Sequence, residues 1–264
     1  MYEFNYRRAS SVSDAVASLG QSDDASFLAG GMTLIPVLKF RLAAPADVID
    51  LAGLSELKGI RTENGAVVVG AMTTHAEVAG SSEVRQAIPA LADLAESIGD
   101  PQVRNRGTIG GSIANADPAA DYPAAVVGLD ATVHTNSRTI GADDFFTDMF
   151  ETALEPGELV TAVSFPVPDR AAYMKFPNPA SRYAIVGVMV SQGGGGVRVA
   201  VTGAGGSVFR VPEMEQALAA NFAPDAVAGI PVSADGLNED IHASPEYRAH
   251  LVTVMAKRAV AAAG

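Results

Sequence analysis

Two short stretches carry residue types that could grip the phosphates of a cofactor. They are Leu28-Ala29-Gly30-Gly31-Met32-Thr33-Leu34 and Thr108-Ile109-Gly110-Gly111-Ser112, the second running on to Asn115. In each, a double glycine stands beside a small hydroxyl residue where the chain leaves regular structure. Glycine lets consecutive backbone N–H groups converge into a concave anion site, and a following helix N-terminus adds favourable partial charge. Two such loops could hold the two phosphates of a dinucleotide from opposite sides. Taken singly, a Gly-Gly pair more often just makes a tight turn, and either pair alone is weak evidence. Neither matches G-x-G-x-x-G or G-x-x-x-x-G-K-[ST], so nicotinamide-type Rossmann binding and ATP hydrolysis are not supported. A near-match, Gly203-Ala204-Gly205-Gly206-Ser207-Val208, has Val208 where the last glycine should stand and reads as a hairpin or bulge.

Other chemistries are excluded by composition. With no cysteine there is no thiolate nucleophile, no Cys-ligated zinc and no cysteinyl iron–sulfur cluster in this chain. The histidines, His75, His134, His242 and His250, are scattered, so no metal site is expected; His75 reads as a capping or structural residue rather than a base. There is no G-x-S-x-G and no H-E-x-x-H. The net charge of −12 would repel nucleic acid and anionic membranes. It leaves room for a small anion held by main-chain donors. No apolar run approaches the roughly 20 residues needed to span a bilayer, and the N-terminus has no leader-like apolar region, so a soluble, cytoplasmic protein is expected.

The elements that must position the two loops alternate between strand-like and helix-like patterns. Ser13–Gly20 reads as a helix, Ser26–Ala29 as a strand broken by Gly30-Gly31, Thr33–Leu42 as a helix with Pro36 in its first turn, and Val48–Leu51 as the next strand. A second block holds the strand Ala66–Ala71 and the helix Pro89–Ile98, then a long glycine-rich loop, Gly99–Asp121, of a kind that is functional or disordered, its small residues and Thr108–Ser112 core arguing against disorder. Near residue 170 the character changes. Pro166, Pro168, Pro177 and Pro179 surround a linker-like segment, followed by a hairpin, Tyr183–Ser191 and Val197–Thr202, and helices Pro212–Ala220 and Pro245 to about Ala262. This places an α+β chain in two parts, 1–170 (subdivided at about 52/53) and 171–264.

In their order, several segments together resemble the FAD-binding medium subunit of the molybdenum hydroxylases, the xanthine dehydrogenase and aerobic carbon monoxide dehydrogenase family. They are Ala29–Pro36, Ala71-Met72-Thr73-Thr74-His75, Gly107–Asn115 with Ala116–Asp121, Glu155–Val160, and Asp240–Arg248. The resemblance runs from Phe4 to about Val260. It implies a two-part FAD domain of the vanillyl-alcohol-oxidase (PCMH) type, followed by a smaller α+β domain. It also implies that Leu28–Leu34 and Thr108–Ser112 clasp the pyrophosphate and ribityl chain mainly by main-chain donors, and that Asp121 meets ribityl or ribose hydroxyls. Val160 would lie near the adenine, Ile98 and Asn115 against the cofactor, and Lys175 and Tyr183 beside the isoalloxazine ring. Met32 departs from the pattern, standing where relatives often carry a polar His or Gln, and Ser112 replaces an Asn found in some. The implied partners are a molybdenum-cofactor large subunit and a [2Fe–2S] small subunit, in a dimer of heterotrimers passing electrons to an external acceptor. A self-sufficient FAD oxidoreductase and a non-catalytic nucleotide-binding module are the competing readings.

Overall fold

The computed structural model describes every residue except Asp23. The first unit is a three-stranded parallel sheet in which Asp47–Asp50 lies between Asn5–Arg8 and Ala25–Leu28. Parallel strands need crossovers, and the helices Val12–Leu19 and Leu34–Lys39 follow the two outer strands. Ser11 starts the first helix by accepting from the Asp14 backbone N–H. The central strand is buried along its length, and Ile49, Leu51, Leu54 and Leu57 form the core beneath it.

The second unit is a five-stranded sheet in the order Ile60–Glu63, Ala66–Gly70, Val160–Pro166, Thr132–Thr135, Thr139–Gly141, antiparallel throughout. Helices Pro89–Glu96, Ile109–Asn115 and Tyr122–Gly128 contribute Leu91, Leu94, Ile109, Ile113 and Tyr122 to its core. The stretch expected as one long loop, Gly99–Asp121, therefore contains two short helices, Pro101–Arg104 and Ile109–Asn115. Caps make them possible: Asp100 accepts from the Val103 N–H, and Thr108 from the Gly111 N–H.

A four-stranded antiparallel sheet follows, ordered Arg170–Pro177, Ala184–Gly193, Gly196–Thr202, Phe209–Arg210. The segment expected as a proline-rich linker is its first strand, because the prolines fall at the strand's ends and leave its ladder donors intact. The helix Pro245–Ala263 packs across this sheet. Arg248 on that helix is buried, donating to the carbonyls of Ile185 and Gly203 and to Asp240, which ties the segment before the helix to the sheet. On the opposite face lie the helices Pro89–Glu96 and Tyr122–Gly128, which explains why Ala184–Val190 is an uninterrupted buried apolar run. No described helix is long and apolar enough to cross a membrane.

Candidate functional site

The two glycine loops meet. A Cβ placed on Gly111 would sit 3.3 Å from the Ala29 Cβ, and one placed on Gly30 would sit 1.9 Å from the Arg106 carbonyl oxygen. Gly30 is thus required for the first unit to dock on the second. Gly31 adopts φ +75°, where a side chain is strained, and its turn leads directly into the helix Leu34–Lys39. Between the loops opens a cavity of about 680 Å³, in the upper half of the range for ligand pockets. All three units contribute to its wall, the third through Ser181, Arg182 and Tyr183.

The first loop is rich in spare donors. Among the described residues, no protein acceptor meets the backbone N–H groups of Gly30, Gly31, Met32, Thr33 and Leu34, and the Thr33 hydroxyl makes no cap bond. Five successive donors at a cavity wall, leading into a helix, form a cradle suited to a pyrophosphate. The second loop corrects the expectation drawn from its sequence. Four of its five N–H groups are already spent: Ile109 donates to the Thr73 carbonyl (3.1 Å), Gly110 to that of Ala71 (2.9 Å), Gly111 to Thr108 Oγ1 (3.2 Å) and Ser112 to the Thr108 carbonyl (3.0 Å). Gly110 and Gly111 serve close packing instead, the former with Ala71 only 2.5 Å from where a Cβ would stand. What this loop offers the cavity is side chains. Ser112 and Asn115 both line it, and neither side chain has a hydrogen-bond partner among the described residues.

The cavity brings together most of the residues singled out from the sequence: Ala29 to Leu34, Ile98, Thr108, Gly110 to Ser112, Asn115, Asp121, Val160 and Tyr183. Three lie elsewhere. Leu28 belongs to the strand behind the loop, Ile109 is fully buried in the core, and Lys175 is not part of the wall. The lysine is instead a buried hub, its side chain 7% exposed, with its ammonium protons matched to three acceptors: the Ser97 carbonyl (2.9 Å), the Arg182 carbonyl (3.0 Å) and Asp121 Oδ2 (3.1 Å). Asp121 also accepts from the Tyr173 hydroxyl. Burial pushes the Asp121 carboxyl upward, and the Lys175 charge opposes that shift.

His75, expected to be a capping or structural residue, lies on the cavity wall, as do Asp117 and the turn residues Ser181 to Tyr183, of which the sequence singled out only Tyr183. His75 follows the Thr74–Glu77 capping box and lines the cavity. Burial lowers its pKa to about 4, so the ring is neutral at physiological pH. Asp117 lines the wall with one oxygen bonded to the Ala119 N–H, and burial raises its carboxyl. The Tyr183 hydroxyl is likewise raised, by burial and then by Asp117 and Asp121. The turn ahead of Tyr183 is closed by Asn178, whose Oδ1 accepts from Ala180 and Ser181. The Asn-Pro-Ala-Ser spacing is the signal that could have revealed it.

Comparison with known proteins now gives this arrangement its class. Residues 2–168 match the family described as the FAD binding domain in molybdopterin dehydrogenase. The chain is 36% identical to the nicotine 6-hydroxylase medium subunit of Paenarthrobacter nicotinovorans, over 98% of this chain and 96% of that one. It is 35% identical to the carbon monoxide dehydrogenase medium chain of Hydrogenophaga pseudoflava, over the same shares. The solved carbon monoxide dehydrogenase from Hydrogenophaga pseudoflava superimposes with a TM-score of 0.88 over 99% of this chain and 97% of that one, at 35% identity. Quinoline 2-oxidoreductase from Pseudomonas putida 86 gives 0.89 over 99% and 97%, at 29% identity. The chain belongs to the FAD-binding medium subunits of the molybdenum hydroxylase family: an oxidoreductase subunit of α+β fold, with a PCMH-type FAD domain.

Proposed function

We infer that this chain is the electron-transfer subunit of a three-component enzyme. Bound FAD supplies the redox chemistry, taking electrons from a [2Fe–2S] subunit and releasing them to an external acceptor, while a molybdenum-cofactor subunit oxidises the substrate. The observation that carries the reading is the row of uncommitted N–H donors from Gly30 to Leu34 on the wall of a dinucleotide-sized cavity.

The chain's own residues bind, orient and shield. Gly30 to Leu34 hold the pyrophosphate through main-chain donors; the Thr33, Ser112 and Asn115 side chains supply hydrogen bonds to neighbouring oxygens. Ile98 and Val160 form apolar wall, Tyr183 stands beside the ring system, and Asp121 is kept in place by Lys175 and Tyr173. Residues 1–170 act as the FAD unit, with a division near 52, and 171–264 as a smaller domain that closes the cavity. An organic redox centre of this kind needs orientation and electrostatics from its protein rather than a dedicated nucleophile. The relatives named as medium chains and FAD subunits support this role, and a chain without cysteine is consistent with an iron–sulfur cluster held by a partner.

Purification tests the reading. The full chain should be yellow, with one FAD per chain, and a tagged copy should retain a molybdenum-containing large chain and an iron–sulfur small chain. Gly31→Val should lose FAD, and Met32→Ala should keep it. A colourless wild-type chain that takes up no added FAD would refute the proposal.

A further inference from the structure

The titratable side chains that line the cavity are His75, Asp117, Asp121, Glu158, Arg182 and Tyr183, and most of them are committed. Both oxygens of Asp121 are engaged, one by Tyr173 and the other by Lys175. Glu158 accepts from Arg138, Ser137 and the Glu155 N–H, and Arg138 holds its carboxyl well below the usual carboxylate range. Arg182 stays charged and donates to the Gly99 carbonyl (3.0 Å). His75 is kept neutral by burial, and its Nδ1 is sealed with no partner among the described residues. That leaves Asp117 and Tyr183. Asp117 Oδ1 accepts from the Ala119 N–H (2.9 Å), whereas Oδ2 and the Tyr183 hydroxyl have no hydrogen-bond partner among the described residues.

The fold sets these two side by side. Ala184 N–H donates to the Ala119 carbonyl (3.2 Å) and Gly203 N–H to that of Pro118 (2.8 Å), so the segment after Asp117 is tied to the strand that starts directly after Tyr183. Asp117 is half-buried and Tyr183 is 47% exposed, so the pair joins the cavity to water. Burial raises the Asp117 carboxyl, and burial followed by the Asp117 charge raises the Tyr183 hydroxyl. The other charged groups around them are paired or turned to water: Lys175 with Asp121, Arg182 on Gly99, Arg248 on the Gly203 carbonyl, and exposed Asp148 and Glu151 on the hairpin whose Phe150 N–H donates to the Ala116 carbonyl. An iron–sulfur cluster delivers electrons without protons, so each electron pair reaching a flavin must be matched by at least one proton from the protein or from water. We propose that Asp117 and Tyr183 form the proton path of the flavin site. Tyr183 gives its hydroxyl proton to a ring nitrogen as the electrons arrive, an N–H bond forming as the O–H bond breaks, and recovers a proton from the Asp117 carboxyl, which is refilled from water. The electrons come from the [2Fe–2S] protein, and the proton is released when the external acceptor removes them. Asp117 thus acts through Tyr183, and the assignment rests on the electron-transfer role given above.

The test uses the complex that co-purifies with the tagged full chain. Flavin content and thermal midpoint are measured beside the rate at which the reduced iron–sulfur protein bleaches the flavin, in ordinary and heavy water and across pH. Asp117→Asn keeps an acceptor for the Ala119 N–H and removes the titratable carboxyl. Asp117→Asn and Tyr183→Phe should each keep FAD and the thermal midpoint while bleaching slows about tenfold or more. The wild-type rate should be slower in heavy water and should fall as the pH rises through the raised Asp117 pKa; that pH dependence should disappear in Asp117→Asn. Added formate should restore part of the rate to Asp117→Ala, as a merely structural role would not allow. In the free chain, without any redox step, Asp117→Asn should lower the pKa of the Tyr183 hydroxyl, read by tyrosinate absorbance with Tyr183→Phe as the blank. Unchanged bleaching in both variants, or a Tyr183 pKa indifferent to the loss of Asp117, would overturn the proposal and leave the electron-transfer reading intact. A wild-type flavin that the reduced iron–sulfur protein does not bleach would instead refute the electron-transfer reading itself.

Discussion

Lys175 shows how a side chain can matter to a site without reaching it. Its ammonium joins the end of the helix Pro89–Glu96, the carboxylate of Asp121 and the turn that presents Tyr183, three parts of the chain that converge on the cavity. Lysine suits this task because its three protons are compact and can point at three acceptors at once. Removing it strands a buried carboxylate, 4% exposed, with Tyr173 as its remaining donor. Lys175→Met is expected to destabilise the fold by about 3–5 kcal/mol, read by denaturant unfolding; a loss below 1 kcal/mol would show that the pair is not what holds the turn. His75 gives a pH signature at the same scale. Its folded pKa of about 4 lies below the ordinary histidine value of 6.5, so the unfolded chain binds the extra proton between those two values. Stability from this group is therefore complete above pH 6.5, falls as the pH drops through that window, and levels near pH 4, a change of about 3 kcal/mol. His75→Gln should lose that part of the slope, and an unchanged slope would place the acid sensitivity elsewhere.

At the scale of elements, what the sequence discloses depends on whether the determining contacts are local. The helix expected over Ser13–Gly20, the strand before Gly30, and the last helix opening at Pro245 are decided by neighbours in the chain, and the structure agrees with each to within a few residues. The helix Ile109–Asn115 is different. Two glycines in its first turn weaken it locally, and it exists because Thr108 caps it and Gly110 packs against Ala71 across the cavity floor. The cap is local and threonine is an ordinary residue for it, but the Gly110–Ala71 contact has no sequence signature. The same applies to the Asn5–Arg8 strand, polar and exposed throughout, which is paired only because the parallel sheet needs an edge there. Of the site, the glycine loops and Asp121 were legible as residue types, but the division of labour between the loops was not, since it depends on which N–H groups the fold consumes. Thr108→Ala tests the cap directly. It should lower stability by about 1 kcal/mol and weaken FAD binding measurably, because the helix carrying Ser112 and Asn115 loses its start; unaltered stability would show that packing alone holds the helix.

The described residues form three large sheets and a two-stranded one, and the three units built on the large sheets all contribute to the cavity wall. Of the three core clusters, two span more than one unit, as Tyr173 and Met189 of the four-stranded sheet do in the core of the five-stranded one, and the cavity lies where the units come together. Such a cavity is a joint as much as a pocket, so ligand binding should stiffen the assembly. Saturating FAD at about 100 times its dissociation constant should add about 2.7 kcal/mol to stability, read as a rise in the thermal midpoint. A net charge of −12 disfavours polyanions, while in the proposed site the pyrophosphate would be met by backbone dipoles that carry no formal charge. Amide hydrogen exchange in the free and FAD-loaded chain tests that central claim most directly. The amides of Gly30, Gly31, Met32, Thr33 and Leu34 should exchange rapidly in the free chain and become protected on loading, while those of Ile109 to Ser112 should be protected in both. Protection of the first loop before FAD is added, or new protection confined to the second, would contradict the account.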